Sequence, residues 1–586
     1  VIAAGSTGSR GATKDFLRAV SRLPQGAVIL PGFDFDMPAK VWRELFKAGE
    51  AGALGAEDHA QFRFVKLLAS LEMEPGEVRL WADDSPPNAR RNAFVSLALR
   101  PAPITDQWQQ EGPSFGGVDT VTREMSLIEA PSPRAEALAI ALVLREAAAR
   151  GEEAALITPD RRLTRQVTAA LDRWRIEPDD SAGLPLPLSP PGRLLRHIAE
   201  LSGAKLTGAD LLALLKHPLA NTGSDARGDH LRHTRDLELD VLREGMAWVT
   251  TGALDAWAQK RPDRGAWAHW VNSIIRDLAE TGTRALAEHV DHTLALAERL
   301  AAGPDGKGSG ALWDKEAGRE ARRICDELVR EAPHGGDFAP SDYRDLFVSV
   351  LNRGEVRDPV QPHPGVRIWG TLEARVQGVD LVILAGLNEG SWPETPPPDP
   401  WMNRKMRAEA GLLLPERRIG LSAHDFQQAI AAKSVVLSRS VRDEESQTVP
   451  SRWINRLTNL MKGMSAEGER ALEGMRERGA YWLALAGALE AADPVAPAPR
   501  PSPQPPVTAR PTQLSVTQIT KLVRDPYAIY ANKILRLRPL NPLAQTPDAS
   551  WRGTILHRIM ERFVAETPPE EAPADGKARL MALAGE

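Results

Sequence analysis

The sequence TLEARVQGVDLVILAGLNEGSWP, at positions 371–393, decides the fold class. Five apolar residues follow Asp380, and this run at 380–385 predicts a strand that is buried on both faces. Runs of the same type lie at residues 366–369 and 434–437, and a helical pattern at about 424–432 precedes the last one. Strands that alternate with helices predict an α/β fold with a parallel sheet.

The N-terminal segment has the same alternation on a smaller scale. Within the first 30 residues, two apolar runs enclose a helical pattern, which is the order of a βαβ unit. Gly5, Gly8 and Gly11 lie in the first loop, and Asp34 follows the second strand. This spacing could seat a dinucleotide pyrophosphate on a helix N-terminus with Asp34 on the ribose, but a tight turn without a ligand is the simpler interpretation. The chain contains no Walker A loop.

A second α/β segment begins after a stretch rich in Gly, Pro and Gln at residues 105–120, which is expected to be a surface connection. Patterns of helix, strand and helix follow at 134–150, 154–158 and 161–174. From residue 192 to residue 332 the periodicity is almost wholly helical. Strand signals return only after this stretch, so we predict that a helical insertion interrupts the second segment.

These patterns divide the chain into six predicted parts. They are a remnant of a first α/β domain (1–120), a second α/β domain (121–180 and 360–465), a helical insertion (181–359), a helical segment (466–493), a proline-rich linker (494–511) and a C-terminal part (512–586). Because the chain starts in a strand without an initiator Met, we expect it to be a fragment of a longer protein.

Composition limits the possible functions. The net charge of −5 gives no global basic signal for nucleic acid, although a local channel could still bind it. Cys325 is the one cysteine, which excludes an internal disulfide and fits a reducing cytoplasm. No apolar run is long enough to span a membrane. His230 and His233 are spaced for one helix face, which we interpret as a solvated face, and we interpret Asp83 and Asp84 as a turn.

The segment 371–393 resembles motif V of the superfamily 1 (UvrD-like) helicases, whose domains have the RecA-like fold, and its ending Asn-Glu-Gly-Ser-Trp-Pro is most similar to the AddB and RecC branch. Residues 433–440 resemble motif VI, and residues 1–19 resemble a degraded motif III. The resemblance implies that Arg439 stands where these helicases place an arginine on the γ-phosphate. It implies a degenerate nucleotide-binding set of Gly5, Thr371, Gly378, Asp380 and Arg439, and DNA contacts from Arg375, Asn388, Arg452 and Trp453.

This sequence departs from the helicase motifs at three positions. Ser6 replaces the acid of motif III, Glu373 replaces the His of motif V, and Asp380 replaces its Glu. These departures indicate that this chain does not hydrolyse ATP by itself.

The C-terminal part carries a second resemblance. The stretches LSVTQI (514–519), DPYAIY (525–530) and RGTILHRIME (552–561) resemble the opening of the PD-(D/E)XK nuclease domain of RecB and AddB. The resemblance implies that His557 is catalytic and binds Mg²⁺, with the remaining acids and the lysine expected after Glu586. Asp525 stands where many AddB proteins have an iron–sulfur cysteine, so we predict no cluster.

Together, the resemblances imply a subunit of an ATP-dependent helicase–exonuclease that unwinds and resects DNA double-strand breaks for recombinational repair. The expected partners are an AddA-type helicase–nuclease subunit and double- and single-stranded DNA, without a membrane. The expected cofactors are Mg²⁺ and ATP, and the expected location is the cytoplasm at the nucleoid. One alternative is an inactive RecC-like DNA-binding scaffold. Another, from a different class, is a dinucleotide-binding oxidoreductase built on the loop between Gly5 and Asp34.

Overall fold

The computed structural model describes residues 1–585 except 7, 9, 10, 51–56, 83, 84, 102, 103, 245–247, 281, 358–361, 372, 376, 411, 413, 444, 445, 465, 545–548 and 568–572. The predicted turn at Asp83 and Asp84 therefore lies outside the described residues. The chain forms two compact units. The first comprises Val1–Ala182 and Val360–Val495, and the second comprises Gly183–Pro359 and Ala496–Glu586.

Strands and helices are numbered in chain order. The strands are β1 (Ile2–Ala4), β2 (Ala27–Ile29), β3 (Met125–Ala130), β4 (Ala154–Ile157), β5 (Asp179–Asp180), β6 (Leu184–Pro185), β7 (Arg284–Ala285), β8 (Asp337–Phe338), β9 (Glu355–Val356), β10 (Val366–Trp369), β11 (Leu381–Leu384) and β12 (Ser434–Ser440). The helices are α1 (Gly11–Ser21), α2 (Ala39–Glu50), α3 (Phe62–Leu71), α4 (Ala89–Ala98), α5 (Gln107–Glu111), α6 (Val118–Thr122), α7 (Pro133–Arg150), α8 (Arg161–Asp172), α9 (Pro190–Leu201), α10 (Gly208–Leu215), α11 (Arg227–Leu237), α12 (Thr251–Ala258), α13 (Gly265–Leu278), α14 (Leu286–Ala302), α15 (Lys315–Glu331), α16 (Pro340–Leu351), α17 (Arg404–Glu409), α18 (Arg417–Ala429), α19 (Arg452–Met464), α20 (Ala466–Glu490), α21 (Val516–Arg524), α22 (Pro526–Ile529), α23 (Ala549–Ala565) and α24 (Pro573–Gly585).

A parallel sheet with the strand order β3-β12-β11-β4-β10-β5 organises the first unit. Alternate residues of β11 pack into two different cores. Ile383 joins a core formed with α7 and α8, whereas Val382 and Leu384 join a core formed with α4, α18 and α19. Both faces of the sheet are thus covered, which explains why its strands are continuous apolar runs. The predicted mixed α/β fold with a parallel sheet is confirmed.

Helix α7 is covered by neighbouring elements over much of its length. Residues 136–144 are buried on every side because the helix lies between the sheet and helices α8 and α20. Helix α20 approaches β3 so closely that a Cβ on Gly479 would lie 1.8 Å from the carbonyl oxygen of Leu127. A side chain larger than hydrogen at position 479 would therefore force the helix away from the strand.

Most residues of the stretch 105–120 are exposed or half-buried, as expected for a surface connection. It is not wholly irregular, because it contains the short helix α5 and the start of α6, and Gln107 and Val118 are buried. The N-terminal βαβ prediction is confirmed, because β1 and β2 pair in parallel as a separate two-stranded sheet.

The second unit is mainly helical, as the periodicity predicts. Helices α9–α16 surround a core of leucines, aromatic residues and Cys325, and the strand pairs β6–β9 and β7–β8 are only two residues long. The interpretation of His230 and His233 as a solvated face is wrong, because both are buried. His230 accepts a hydrogen bond from the Trp267 indole at 3.0 Å, and its Nε2 lies 2.6 Å from the Leu215 carbonyl oxygen. The two histidines are part of the helical core.

The C-terminal helices α21–α24 also belong to the second unit, and most of their side chains are exposed. The preceding proline-rich stretch has one short 3₁₀ turn, Val507–Ala509, and is otherwise without regular structure. Among the residues described, no helix has the length and apolar character needed to cross a membrane.

Candidate functional sites

The carboxyl ends of β11 and β12 lie at the same edge of the sheet and bring Asn388 and Arg439 together. Arg439 is buried, and its Nε donates to Asn388 Oδ1 at 3.0 Å. The other guanidinium nitrogens donate to Glu129 on β3 at 3.3 Å and to Thr448 Oγ1 at 3.0 Å. Asn388 in turn donates to the Ser440 carbonyl at 3.1 Å. The guanidinium of Arg439 thus bonds to β3, to the loop after β11 and to the loop after β12.

Arg452 and Trp453, at the start of α19, have different environments. The Arg452 guanidinium pairs with both oxygens of Glu389, at 3.1 and 3.0 Å, and this hydrogen bonding raises the pKa of Arg452. Trp453 is buried and stacks on Phe426 with ring centroids 5.0 Å apart. Of these two residues with predicted DNA contacts, Trp453 is therefore a core residue, whereas the side chain of Arg452 is 42% exposed.

The predicted nucleotide-binding residues do not come together. Gly378 and Asp380 precede β11 and so lie at the amino edge of the sheet, about 13 Å of strand away from Asn388. Asp380 accepts from the Glu153 backbone N–H at 3.4 Å. Thr371 follows β10 at the carboxyl edge, whereas Gly5 follows β1 of the two-stranded sheet and has a φ of 79°. The set is thus divided among three places.

Arg375 and Asp34 are both committed to contacts within the first unit. Arg375 forms a bidentate pair with Asp425 at 2.7 and 3.0 Å. Burial tends to raise the pKa of Asp425, but hydrogen bonds from His424 and Arg375 outweigh it and hold that pKa below its usual value. Asp34 is buried and accepts from Gln427 Nε2 at 2.8 Å, so its carboxylate is engaged within the protein. Its position does not support the oxidoreductase alternative.

Glu136, in the first turn of α7, is a candidate that the sequence did not indicate. It lines a cleft of about 710 Å³ at the carboxyl edge of the sheet, between the N-termini of α7 and α8 and the loops after β11 and β12. One carboxylate oxygen accepts from the Gly386 backbone N–H at 3.0 Å and from Ser438 Oγ at 2.8 Å. Burial raises the pKa of Glu136 to about 7, so its carboxyl group can gain or lose a proton near neutral pH. Clefts at this edge of a parallel sheet are common ligand sites.

His557 lies on α23 and is exposed, as is Glu561 one helical turn later. Within the described residues there is no group of three His, Cys, Asp or Glu side chains that could hold a metal ion. Mg²⁺ takes mainly oxygen ligands in near-octahedral geometry, so one imidazole does not fit it as a complete site. These residues alone therefore do not form a hydrolytic metal centre.

Comparison with known proteins identifies the C-terminal segment. Residues 513–585 match the PD-(D/E)XK nuclease superfamily. The chain carries a PD-(D/E)XK nuclease superfamily domain at its C-terminus. This confirms the predicted family of that part, and it indicates a nuclease-type, hydrolytic function.

The matches to two curated relatives extend well beyond the C-terminal domain. An uncharacterized protein of Rickettsia felis is 22% identical over 430 residues, which cover 73% of this chain and 46% of that protein. An uncharacterized protein of Rickettsia conorii is 22% identical over 416 residues, covering 70% of this chain and 44% of the relative. A protein of Rickettsia typhi is 40% identical over 53 residues, or 9% of this chain. The chain spans less than half the length of these curated relatives.

Proposed function

We propose that this chain is part of an AddB-type subunit of an ATP-dependent helicase–exonuclease that resects DNA double-strand breaks for recombinational repair. The observation that carries the proposal is the match of residues 513–585 to the PD-(D/E)XK nuclease superfamily. It lies downstream of the motif V-like stretch at 371–393, in the order expected for AddB proteins. The proposed substrate is DNA, the proposed partner is an AddA-type motor subunit, and the proposed cofactors of the complex are Mg²⁺ and ATP.

The parallel-sheet unit would then contribute DNA binding and not ATP hydrolysis. Two observations support this division of labour. Arg439 is already bonded to Asn388, Glu129 and Thr448, and Asp380 lies at the opposite edge of the sheet. To stabilise a γ-phosphate, an arginine must be able to reach it, and the other nucleotide-binding residues must lie at the same site. For this unit we therefore favour the role of a RecC-like scaffold within a complex whose motor is the partner.

The test uses the full-length gene product with its partner and follows degradation of a linear duplex at fixed Mg²⁺ and ATP. We expect His557→Ala to abolish cleavage of one strand while unwinding continues, because the proposed role of His557 is confined to the nuclease domain. His269→Ala is the matched control, since His269 is also exposed on a helix of the same unit. It should leave both strands' cleavage unchanged.

Cleavage of both strands by the His557→Ala complex at the wild-type rate would contradict the catalytic assignment of His557. In that case the scaffold role would extend to the C-terminal domain. Loss of unwinding together with cleavage would instead indicate that His557 is needed for assembly.

A further inference from the structure

The stretch 399–418 presents an exposed aromatic side chain among basic residues. Trp401 is 86% exposed, more than any other tryptophan whose side chain the structure describes. Single exposed apolar residues are common and need no explanation. Here, however, Met402 and Met406 are exposed as well, and Arg404, Lys405 and Arg418 are exposed cations in the same stretch.

Hydrogen bonds fix the turn that presents Trp401. Asp399 Oδ1 accepts from the backbone N–H groups of Trp401 at 2.9 Å and Met402 at 3.2 Å. These two bonds lower the pKa of Asp399, and its other oxygen pairs with Arg407. Asn403 then accepts from the Met406 N–H at 2.9 Å and starts helix α17. The indole is thus held by an ordered turn. Because the backbone is already ordered, binding a ligand there costs little conformational entropy.

The charges of the stretch favour an anionic partner. Residues 399–418 include five basic and three acidic side chains. Each of the three acids lies near a basic side chain. Asp399 pairs with Arg407 and Glu416 pairs with Arg404, and the Lys405 ammonium lies 3.9 Å from the Glu409 carboxylate. An exposed aromatic face beside surplus cations is the combination by which proteins bind single-stranded nucleic acid, since every base offers a face for stacking and every phosphate a negative charge.

We propose that Trp401 is a stacking platform for a base of single-stranded DNA, with Lys405 and Arg418 binding adjacent phosphates. This proposal deepens the proposed function, on which it rests, by assigning a contact point for the unwound strand. It also moves the aromatic DNA contact from Trp453, which is buried, to Trp401.

The experiment uses fluorescence anisotropy to measure how tightly the full chain binds a fluorescent oligothymidylate of twenty nucleotides. The comparison strand has the same length and charge but carries abasic positions. Wild type should bind the base-bearing strand more tightly. Trp401→Ala should weaken that binding by about 5- to 150-fold, the equivalent of losing one stacked base at ~1–3 kcal/mol. Trp401→Phe should retain most of the affinity. Trp81→Ala is the matched control, because Trp81 is 68% exposed in the same unit, and it should bind as wild type does.

A second variant tests the cations independently. Lys405→Ala with Arg418→Ala should lower the salt dependence of binding by about 0.7 per lost phosphate contact, whereas Trp401→Ala should keep the wild-type slope. Equal binding of both strands by wild type, or wild-type affinity of Trp401→Ala, would overturn the stacking proposal while leaving the nuclease proposal in place. Failure of wild type to bind either strand would overturn the stacking proposal and the proposed scaffold role together.

Discussion

In and around the parallel sheet of the first unit, Asn388, Arg439 and Trp453 are buried and bonded or packed within the protein, whereas His557 and Glu561 in the C-terminal segment are exposed. The exposed segment lies in the part that matches the PD-(D/E)XK nuclease superfamily. Residues for which a resemblance predicts a functional role can therefore serve packing instead. The environment of each side chain decides whether its loss should appear in stability or in activity.

The largest effect that separates these two cases is expected at Trp453. Trp453→Ala removes a buried indole that stacks on Phe426 and contacts Trp392, so we expect it to lower the free energy of unfolding by about 3–5 kcal/mol. Urea denaturation measures the change. Trp401→Ala is the control, and an exposed substitution should stay within about 0.5 kcal/mol of wild type. Equal stabilities of the two variants would contradict the assignment of Trp453 to the core.

An intermediate effect is expected at Glu136, where the sheet has a group that titrates near neutral pH. Its folded-state pKa of about 7 lies above the usual 4.5, so the folded protein holds a proton that the unfolded chain has released. Wild-type stability should consequently fall as pH rises from about 4.5 to about 7, by up to about 3 kcal/mol, and this contribution should be constant above that window. Glu136→Gln keeps a carbonyl oxygen for Gly386 and Ser438 but cannot titrate.

The measurement is the difference in unfolding free energy between Glu136→Gln and wild type at pH 5, 6, 7 and 8. We expect the variant to gain stability relative to wild type up to pH 7. A difference that does not change with pH would mean that Glu136 is ionised throughout and that burial does not control its proton.

The fold was largely predictable because strands that are buried on both sheet faces have continuous apolar sequences. β10 has the predicted bounds, Val366–Trp369, and β11 differs from its prediction by one residue at each end. In the stretch 105–120, Gly, Pro and Gln indicated the exposed connection, but composition could not show that tertiary packing buries Gln107 and Val118.

The site was less predictable, because motif spacing does not say which edge of a sheet a residue occupies. Asp380 is eight residues from Asn388 in sequence, yet a whole strand separates them. Glu136 was missed since an acid in a first helical turn usually interacts with the helix dipole at the surface. The signal that could have found it is the apolar run 137–144, which shows that this part of the helix has no solvent face.

The smallest effect, and the one that most sharpens the comparison, is expected for the stability of His557→Ala. His557 is exposed on α23, and no hydrogen bond or ion pair to its side chain is present among the described residues, so nothing that holds the helix is lost. Alanine also has the higher helix propensity, which offsets small losses. We expect the unfolding free energy to stay within about 0.5 kcal/mol of wild type, measured by urea denaturation followed by circular dichroism. A loss comparable to that of Trp453→Ala, about 3–5 kcal/mol, would show that the His557 side chain stabilises the structure, and lost cleavage could then not be assigned to chemistry alone. An unchanged stability with lost cleavage would leave the chemical role as the reason for this histidine.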